Sequence, residues 1–518
     1  MREIKKPLLN WKYAATVLPL ILLTACGAPK GSATVIHEDD TPAAAPVAPM
    51  ETAVLEAGSL SALPDRTDRI LSLEYDLGEE SFGSMPYRIR GWLSLPEEGE
   101  NLPLVLLIHG SHDSKNPDAK LYRGFSYLTD ALARRGYAAV SLDVQPAYVW
   151  EYGREDDDKK AMAITERQLT FFQRAVRGEK LFPTDLIKRI DLDRLVVVGH
   201  SRGGDTALEL ANQLEGAAAA VAIAPGMRKA EKEWKDIPIA ILIPELDGDV
   251  ADFDGFGYLA SLYRAKRANP ATATFLRGGN HNFFNSCLTA NDAEQRAQSA
   301  KQLSPEDQQE FLQNCLADFC DFAVNGRSEN TVFDFSRPLP ATMYGQQVEH
   351  LLVSPKKVLL SDSTKGAPVT EGGQSQRITA GLHVADYPIP LALGTRDTLT
   401  FWRLRLGEGG AAELPLTPGA IDEFDGLTLT LAPVLESSAP QSLRLAVEDR
   451  EGHCAAVDLP PLNPPAEGAA YLTFSDVRVP FSLLSGVDRG SISRVLLLPN
   501  QGASCDILVS AVYGYSVE

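Results

Sequence analysis

The chain is 518 residues long, 44% apolar and 23% charged, enough for two ordinary domains and a linking segment. Its formal net charge of −20 excludes a nucleic-acid binder, which needs clustered Lys and Arg. The same charge gives no attraction to an anionic membrane surface.

At the N-terminus, Arg2, Lys5, Lys6 and Lys12 precede an apolar stretch, residues 14–23, that is too short to span a bilayer and is interrupted by Pro19. It ends in Leu23-Thr24-Ala25-Cys26-Gly27, which resembles a bacterial lipobox. The resemblance implies removal of residues 1–25 as a signal peptide and lipidation of Cys26. It also implies a cell-envelope location, facing the periplasm or the exterior. Several acyl chains anchor durably where one does not, so membrane contact is expected through the lipid. Residues 28–64 are rich in Ala, Pro, Thr and Glu without apolar periodicity. Residues 26–67 are therefore expected to be the lipidated cysteine and a disordered tether.

From residue 68 to 330 apolar runs alternate with helical patterns. Helices are predicted over residues 120–135, 161–177, 205–214, 256–267 and 305–324, and strands over 104–108, 195–198 and 239–243. This alternation predicts an α/β domain whose parallel sheet is covered on both faces. The chemistry gathers at the predicted strand ends. Leu195-Val196-Val197-Val198 runs into Gly199-His200-Ser201-Arg202-Gly203, and a helix follows. Strand, sharp turn and helix around Gly-x-Ser-x-Gly are what a nucleophilic serine needs, because the flanking glycines permit close approach and the hydroxyl stands at the tip.

Downstream, the strand 239–243 leads into Pro244-Glu245-Leu246-Asp247-Gly248-Asp249-Val250, the expected source of an acid. Asp247 fits the Asp-x-x-Val spacing; Asp249 and Glu245 are the alternatives. His281, in Gly278-Gly279-Asn280-His281-Asn282, is the sole histidine between Ser201 and residue 324, and so the candidate base. The oxyanion requires two backbone N–H donors. Arg202, following the serine, supplies one. Ser111, in His109-Gly110-Ser111-His112 after strand 104–108, is assigned the other, with His112 as the alternative. His109 is read as a structural hydrogen-bonding residue. The acidic residues Asp249, Asp252 and Asp254 do not match a calcium-loop spacing, no Cys/His spacing resembles a zinc site, and no metal or cofactor is expected.

These residues, with Gly91-Trp92-Leu93-Ser94-Leu95-Pro96 and Gly136-Tyr137-Ala138-Ala139-Val140, resemble the α/β-hydrolase family, most nearly secreted bacterial esterases and lipase-like enzymes with Gly-His-Ser-Arg-Gly-Gly. The resemblance covers residues 68–325. It implies an eight-stranded, doubly wound, mostly parallel sheet and an acyl-enzyme on Ser201, with Asp247 and His281 completing a triad. The charged insert at residues 151–160 departs from the pattern.

Residues 345–518 carry short alternating strands separated by Pro/Gly turns, predicting an all-β sandwich. The last strands weakly resemble galactose-binding-like jelly rolls, which implies carbohydrate binding as one role. Trp402, Tyr513 and Tyr515 are the aromatic candidates for stacking on sugars. Export permits disulfides: Cys287 with Cys315 or Cys320, and Cys454 with Cys505, are the pairings considered. The expectation is a membrane-tethered serine hydrolase of carboxylic esters, small or polymeric. The alternatives are a peptidase or amidase with the same triad, and a non-catalytic binding lipoprotein.

Overall fold

The computed structural model describes residues 51–112, 115–149, 157–226, 233–293, 302–380, 399–417, 419–465 and 473–518. The signal segment, Cys26, the first part of the tether and residues 151–156 of the insert lie outside them. Among the described residues no helix is long and apolar enough to cross a membrane.

The first sheet has eleven described strands, β2 (Gly58–Leu60) to β12 (Gln346–Val353). Its centre is a run of parallel neighbours in the spatial order β6-β5-β7-β8-β9-β10. In sequence these are β5 (Leu102–Ile108), β6 (Ala138–Leu142), β7 (Ile190–His200), β8 (Ala217–Ile223), β9 (Ile239–Pro244) and β10 (Ala271–Leu276). A long antiparallel hairpin, β3 (Ile70–Phe82) and β4 (Met85–Pro96), extends the β6 side. On the other side, β12 pairs antiparallel with β10, and β11 (Pro340–Met343) lies between β12 and β2.

Side-chain alternation divides the sheet between two apolar clusters. Leu104, Leu106 and Ile108 of β5 face one, with residues of α2 (Gln145–Val149), α3 (Asp157–Val176), α4 (Arg202–Gln213) and α5 (Gly255–Arg264). Val105 and Leu107 face the other, with α1 (Ser126–Arg134) and α6 (Pro305–Asn325). Helices thus cover both faces, and the fully buried central strands read as continuous apolar runs for that reason.

The second sheet has ten described strands. Eight follow the path β1-β18-β17-β20-β15-β21-β16-β19, and β13 and β14 attach at β21 and β15. Their ranges are β1 (Glu51–Val54), β13 (Lys357–Asp362), β14 (Val369–Ala380), β15 (Leu399–Glu413), β16 (Gly426–Pro433), β17 (Leu443–Asp449), β18 (Cys454–Asp458), β19 (Ser475–Pro480), β20 (Ile492–Pro499) and β21 (Cys505–Tyr515). Except for the parallel β1–β18 pair its ladders are antiparallel. The strands enclose their own apolar cluster around Trp402, Leu429 and Val479.

Three details differ from the sequence reading. Two short segments within residues 51–60 are paired: β1 joins β18 and β2 joins β11, and Leu55 and Leu60 are buried, each in a different apolar cluster. Backbone pairing at two sheet edges, not side-chain periodicity, orders this part of the expected tether. The first sheet also runs on to Val353, beyond the expected start of the second unit at residue 345. Finally, Cys287, Cys315, Cys320 and Cys505 are free thiols, so the considered bridges do not form. Cys320 is buried in the α6 core while Cys287 is exposed, and Cys454 and Cys505 sit on strands that are not neighbours. The described residues form one compact unit.

Candidate active site

The candidate residues lie at the carboxyl ends of neighbouring parallel strands, where open α/β sheets place their ligands. Ser111 and His112 follow β5, Ser201 follows β7, Asp247 follows β9 and His281 follows β10.

Ser201 has φ +56° and ψ −131°, a left-handed-side conformation that costs energy for a residue with a Cβ. The turn holds because its neighbours are glycines. A Cβ on Gly199 would lie 1.8 Å from the Gly203 carbonyl oxygen, and one on Gly203 2.3 Å from the Ile108 carbonyl oxygen. The Ser201 N–H donates to Ile223 O at 2.8 Å, and Gly204 N–H donates to Ser201 O at 2.7 Å, which fixes both sides of the turn. Arg202 opens α4, so its N–H belongs to the helix's first turn, whose donors point outward. Its guanidinium donates to Asp157 Oδ2 at 2.7 Å and lies 5.3 Å over the Tyr148 ring, tying the start of α3 to the turn.

His281 Nδ1–H donates to Asp247 Oδ2 at 2.9 Å, with both side chains buried. The other Asp247 oxygen accepts from the N–H groups of Asp249 and Val250, at 3.0 and 2.6 Å, so the carboxylate is held in one orientation. Glu245, the third candidate acid, is used elsewhere: it accepts from Gly278 N–H and pairs with Arg277. Asp249 stands 3.4 Å from His281 Nε2, outside hydrogen-bond geometry, with its side chain largely exposed. Burial works against the imidazolium form of His281. The charges of Asp247, Asp249 and Asp292 outweigh it and raise the pKa above the ordinary histidine value.

Asp292, which the sequence reading did not single out, joins the two loops. It accepts from Gly248 N–H at 2.7 Å and from His281 and Asn282 N–H at 3.3 and 3.1 Å. Gln308 of α6 bonds both the N–H and the carbonyl of Asn280, bracing the same loop from behind. A polar residue in a polar loop carried no mark of this role.

On the β5 side, a Cβ on Gly110 would meet Ser201 Cβ and His112 Nε2, each at 2.6 Å, so His112 and the serine share the space that glycine vacates. His109 is buried and accepts from Val144 N–H through Nε2 at 3.1 Å, which ties the end of β5 to the segment after β6. His112 and His200 stack with ring centroids 4.9 Å apart, and His200 lies 4.9 Å from His281. Burial, then the neighbouring imidazoles, pushes the pKa of both His112 and His200 well below the ordinary range and keeps them neutral. His281 Nε2 is buried without a hydrogen-bond partner. The arrangement offers a serine on a strained turn, an oriented imidazole–carboxylate pair and a basic nitrogen available for a proton.

In the second sheet, Trp402 and Tyr515 are buried in the core, and Tyr513 carries the Lys357 ammonium 4.1 Å over its ring. Trp402 and Tyr515 therefore present no open face.

No family model matches the chain. It is 26% identical to the cutinase est1 of Thermobifida alba over 201 residues, which is 38% of this chain and 55% of the relative. It is also 26% identical to the cutinase est2 of the same organism over 195 residues, 37% of this chain and 52% of the relative. The chain thus spans about half the length of the curated relatives it matches. Partial as it is, this likeness supports a place among the hydrolases.

Proposed function

We propose that the chain is a serine hydrolase of α/β-hydrolase type that cleaves carboxylic esters, tethered outside the cytoplasm through a lipid on Cys26. The observation that carries the reading is the His281–Asp247 pair at 2.9 Å, following in chain order a serine held at φ +56° between strand and helix. The similarity to two cutinases supports the ester class.

In this reading Ser201 Oγ attacks the ester carbonyl carbon as His281 Nε2 takes the hydroxyl proton. The carbonyl electron pair moves to oxygen, and the N–H groups of Ser111 and Arg202 stabilise that oxyanion. Collapse expels the alcohol, which receives the proton from His281. Water, deprotonated by the same nitrogen, then hydrolyses the acyl-enzyme and frees the acid and Ser201. Asp247 keeps Nδ1 protonated and stabilises the imidazolium.

The test is turnover of a p-nitrophenyl ester series from acetyl to long acyl, comparing the full chain with Ser201→Ala. A loss of several orders of magnitude is expected. Equal turnover in the two proteins, or none in either, sinks the reading; amide turnover that disappears in the variant redirects it to a peptidase.

A further inference from the structure

Acyl transfer uses one histidine, yet three surround the serine turn. His112, His200 and His281 come from three different strand ends, more than eighty residues apart in sequence. One ring nitrogen from each lies within 4.8 Å of one from each of the others. Each ring also has one buried nitrogen without a hydrogen-bond partner: Nε2 of His112, Nδ1 of His200 and Nε2 of His281.

The bonds on the remaining nitrogens decide what two of these atoms are. His281 donates through Nδ1 to Asp247, and His200 Nε2 meets the His281 carbonyl oxygen at 2.9 Å and must carry its hydrogen there. The unpartnered nitrogens of both rings are therefore lone pairs. A buried polar atom left unbonded is costly, and here the three rings that carry one each are neighbours. An imidazole whose other nitrogen donates to a carboxylate or a backbone carbonyl is also the outer arrangement that metal-bound histidines use.

We propose that His112, His200 and His281 form a site for one divalent transition-metal ion of the zinc class, and that its occupancy switches the hydrolase off by occupying the nitrogen that must take the Ser201 proton. An all-imidazole set suits zinc or its neighbours and not the oxygen-seeking calcium or magnesium. Zinc–nitrogen bonds of about 2.0–2.1 Å in a tetrahedron set the nitrogens about 3.4 Å apart, so the widest pair closes by at most about 1.4 Å. A water fills the fourth position. Metal binding stands on the three rings alone, whereas the switch rests on the hydrolase reading above.

The experiment titrates the metal-free full chain with Co²⁺, whose visible bands report tetrahedral nitrogen coordination, and then displaces it with Zn²⁺. One equivalent is expected in the wild type and in Ser201→Ala, with affinity at least tenfold weaker in His112→Ala. His112→Phe, which keeps a ring against His200, is the second variant should the alanine chain not fold. In parallel, Zn²⁺ is expected to block labelling of Ser201 by a fluorophosphonate, and EDTA to restore it. A wild type that binds no stoichiometric Co²⁺, or bands that persist unchanged in the His112 variants, overturns the site. Binding that leaves labelling untouched overturns the switch. A stoichiometric site in a protein without ester turnover or labelling keeps the metal inference and removes the hydrolase reading instead.

Discussion

Two carboxylates address His281, and they do so at opposite nitrogens. Asp247 holds Nδ1, whereas Asp249 stands near Nε2, the nitrogen that serves as base. Their removal should therefore separate. Asp247→Asn leaves the ring without its orienting acceptor, and kcat/KM for an ester is expected to fall on the order of 10³- to 10⁴-fold. Asp249→Asn removes only a solvent-screened charge that favours the imidazolium. The raised His281 pKa means that the neutral base is recovered only as pH rises above the ordinary histidine range. Without Asp249 the acid limb of the kcat/KM profile should move to lower pH, the shift being limited by the exposure of that carboxylate. A limb that moves up, or a rate as low as that of Asp247→Asn, contradicts this division of labour.

Among the elements, the β7–α4 turn and α5 are the most instructive. Gly199→Ala sets a Cβ against a backbone carbonyl that cannot yield without opening the turn. It is expected to cost more than about 3 kcal/mol and to lower the midpoint of thermal unfolding sharply. At the start of α5, burial pushes the Asp254 carboxyl up to about 6, with the Asp252 charge adding to it. An acid whose folded pKa lies above its unfolded value is favoured protonated, so its contribution to stability falls as pH rises from about 4 to about 6. Asp254→Asn keeps the size of a side chain that makes no capping hydrogen bond and removes the charge. It should raise stability at pH 7 on the order of 1 kcal/mol after allowing for the group's half exposure, and do nothing near pH 3, as melts at the two pH values would read.

These two elements also mark how much was legible. The strand ahead of Gly199, the helix behind Ser201 and the loops bearing Asp247 and His281 stood out because long apolar periodicity and glycine placement are local signals. The positions of β2, β11 and β12 did not, since an edge pairing such as Gln346–Val353 on β10 is decided by backbone partners some seventy residues away. For the same reason His112 and His200 read as turn residues. Only the closing of β5, β7 and β10 brings their rings together.

At the scale of the whole molecule the two sheets do not stand apart. Phe401, Val434, Phe474 and Leu508 of the second region belong to the apolar cluster that fills one face of the first sheet. Tyr515 of β21 joins the cluster on the other face, with its ring 5.8 Å from Phe335. The buried Arg478 guanidinium of β19 lies 4.0 Å over the Phe335 ring and donates to the carbonyls of Val332, Asp334 and Arg337. Lys357 and Asp476 make a buried ion pair, and the same carboxylate accepts from Leu352 N–H of β12. Breaking off one partner of such a set leaves buried charge and carbonyls without bonds. A chain ending at residue 330 would lose β11 and β12, expose the edge of β10 and uncover the apolar side chains they bury, a combination that favours aggregation. That truncation should be insoluble or molten even though every proposed catalytic residue is present. Residues 51–518 should unfold in a single transition, because the segment from β1 to β2 and the shared clusters couple both sheets. Calorimetry and ester turnover on the two chain lengths decide it: a soluble 1–330 fragment with native-like ester turnover, or two separated transitions in the longer chain, would mean that the sheets fold independently.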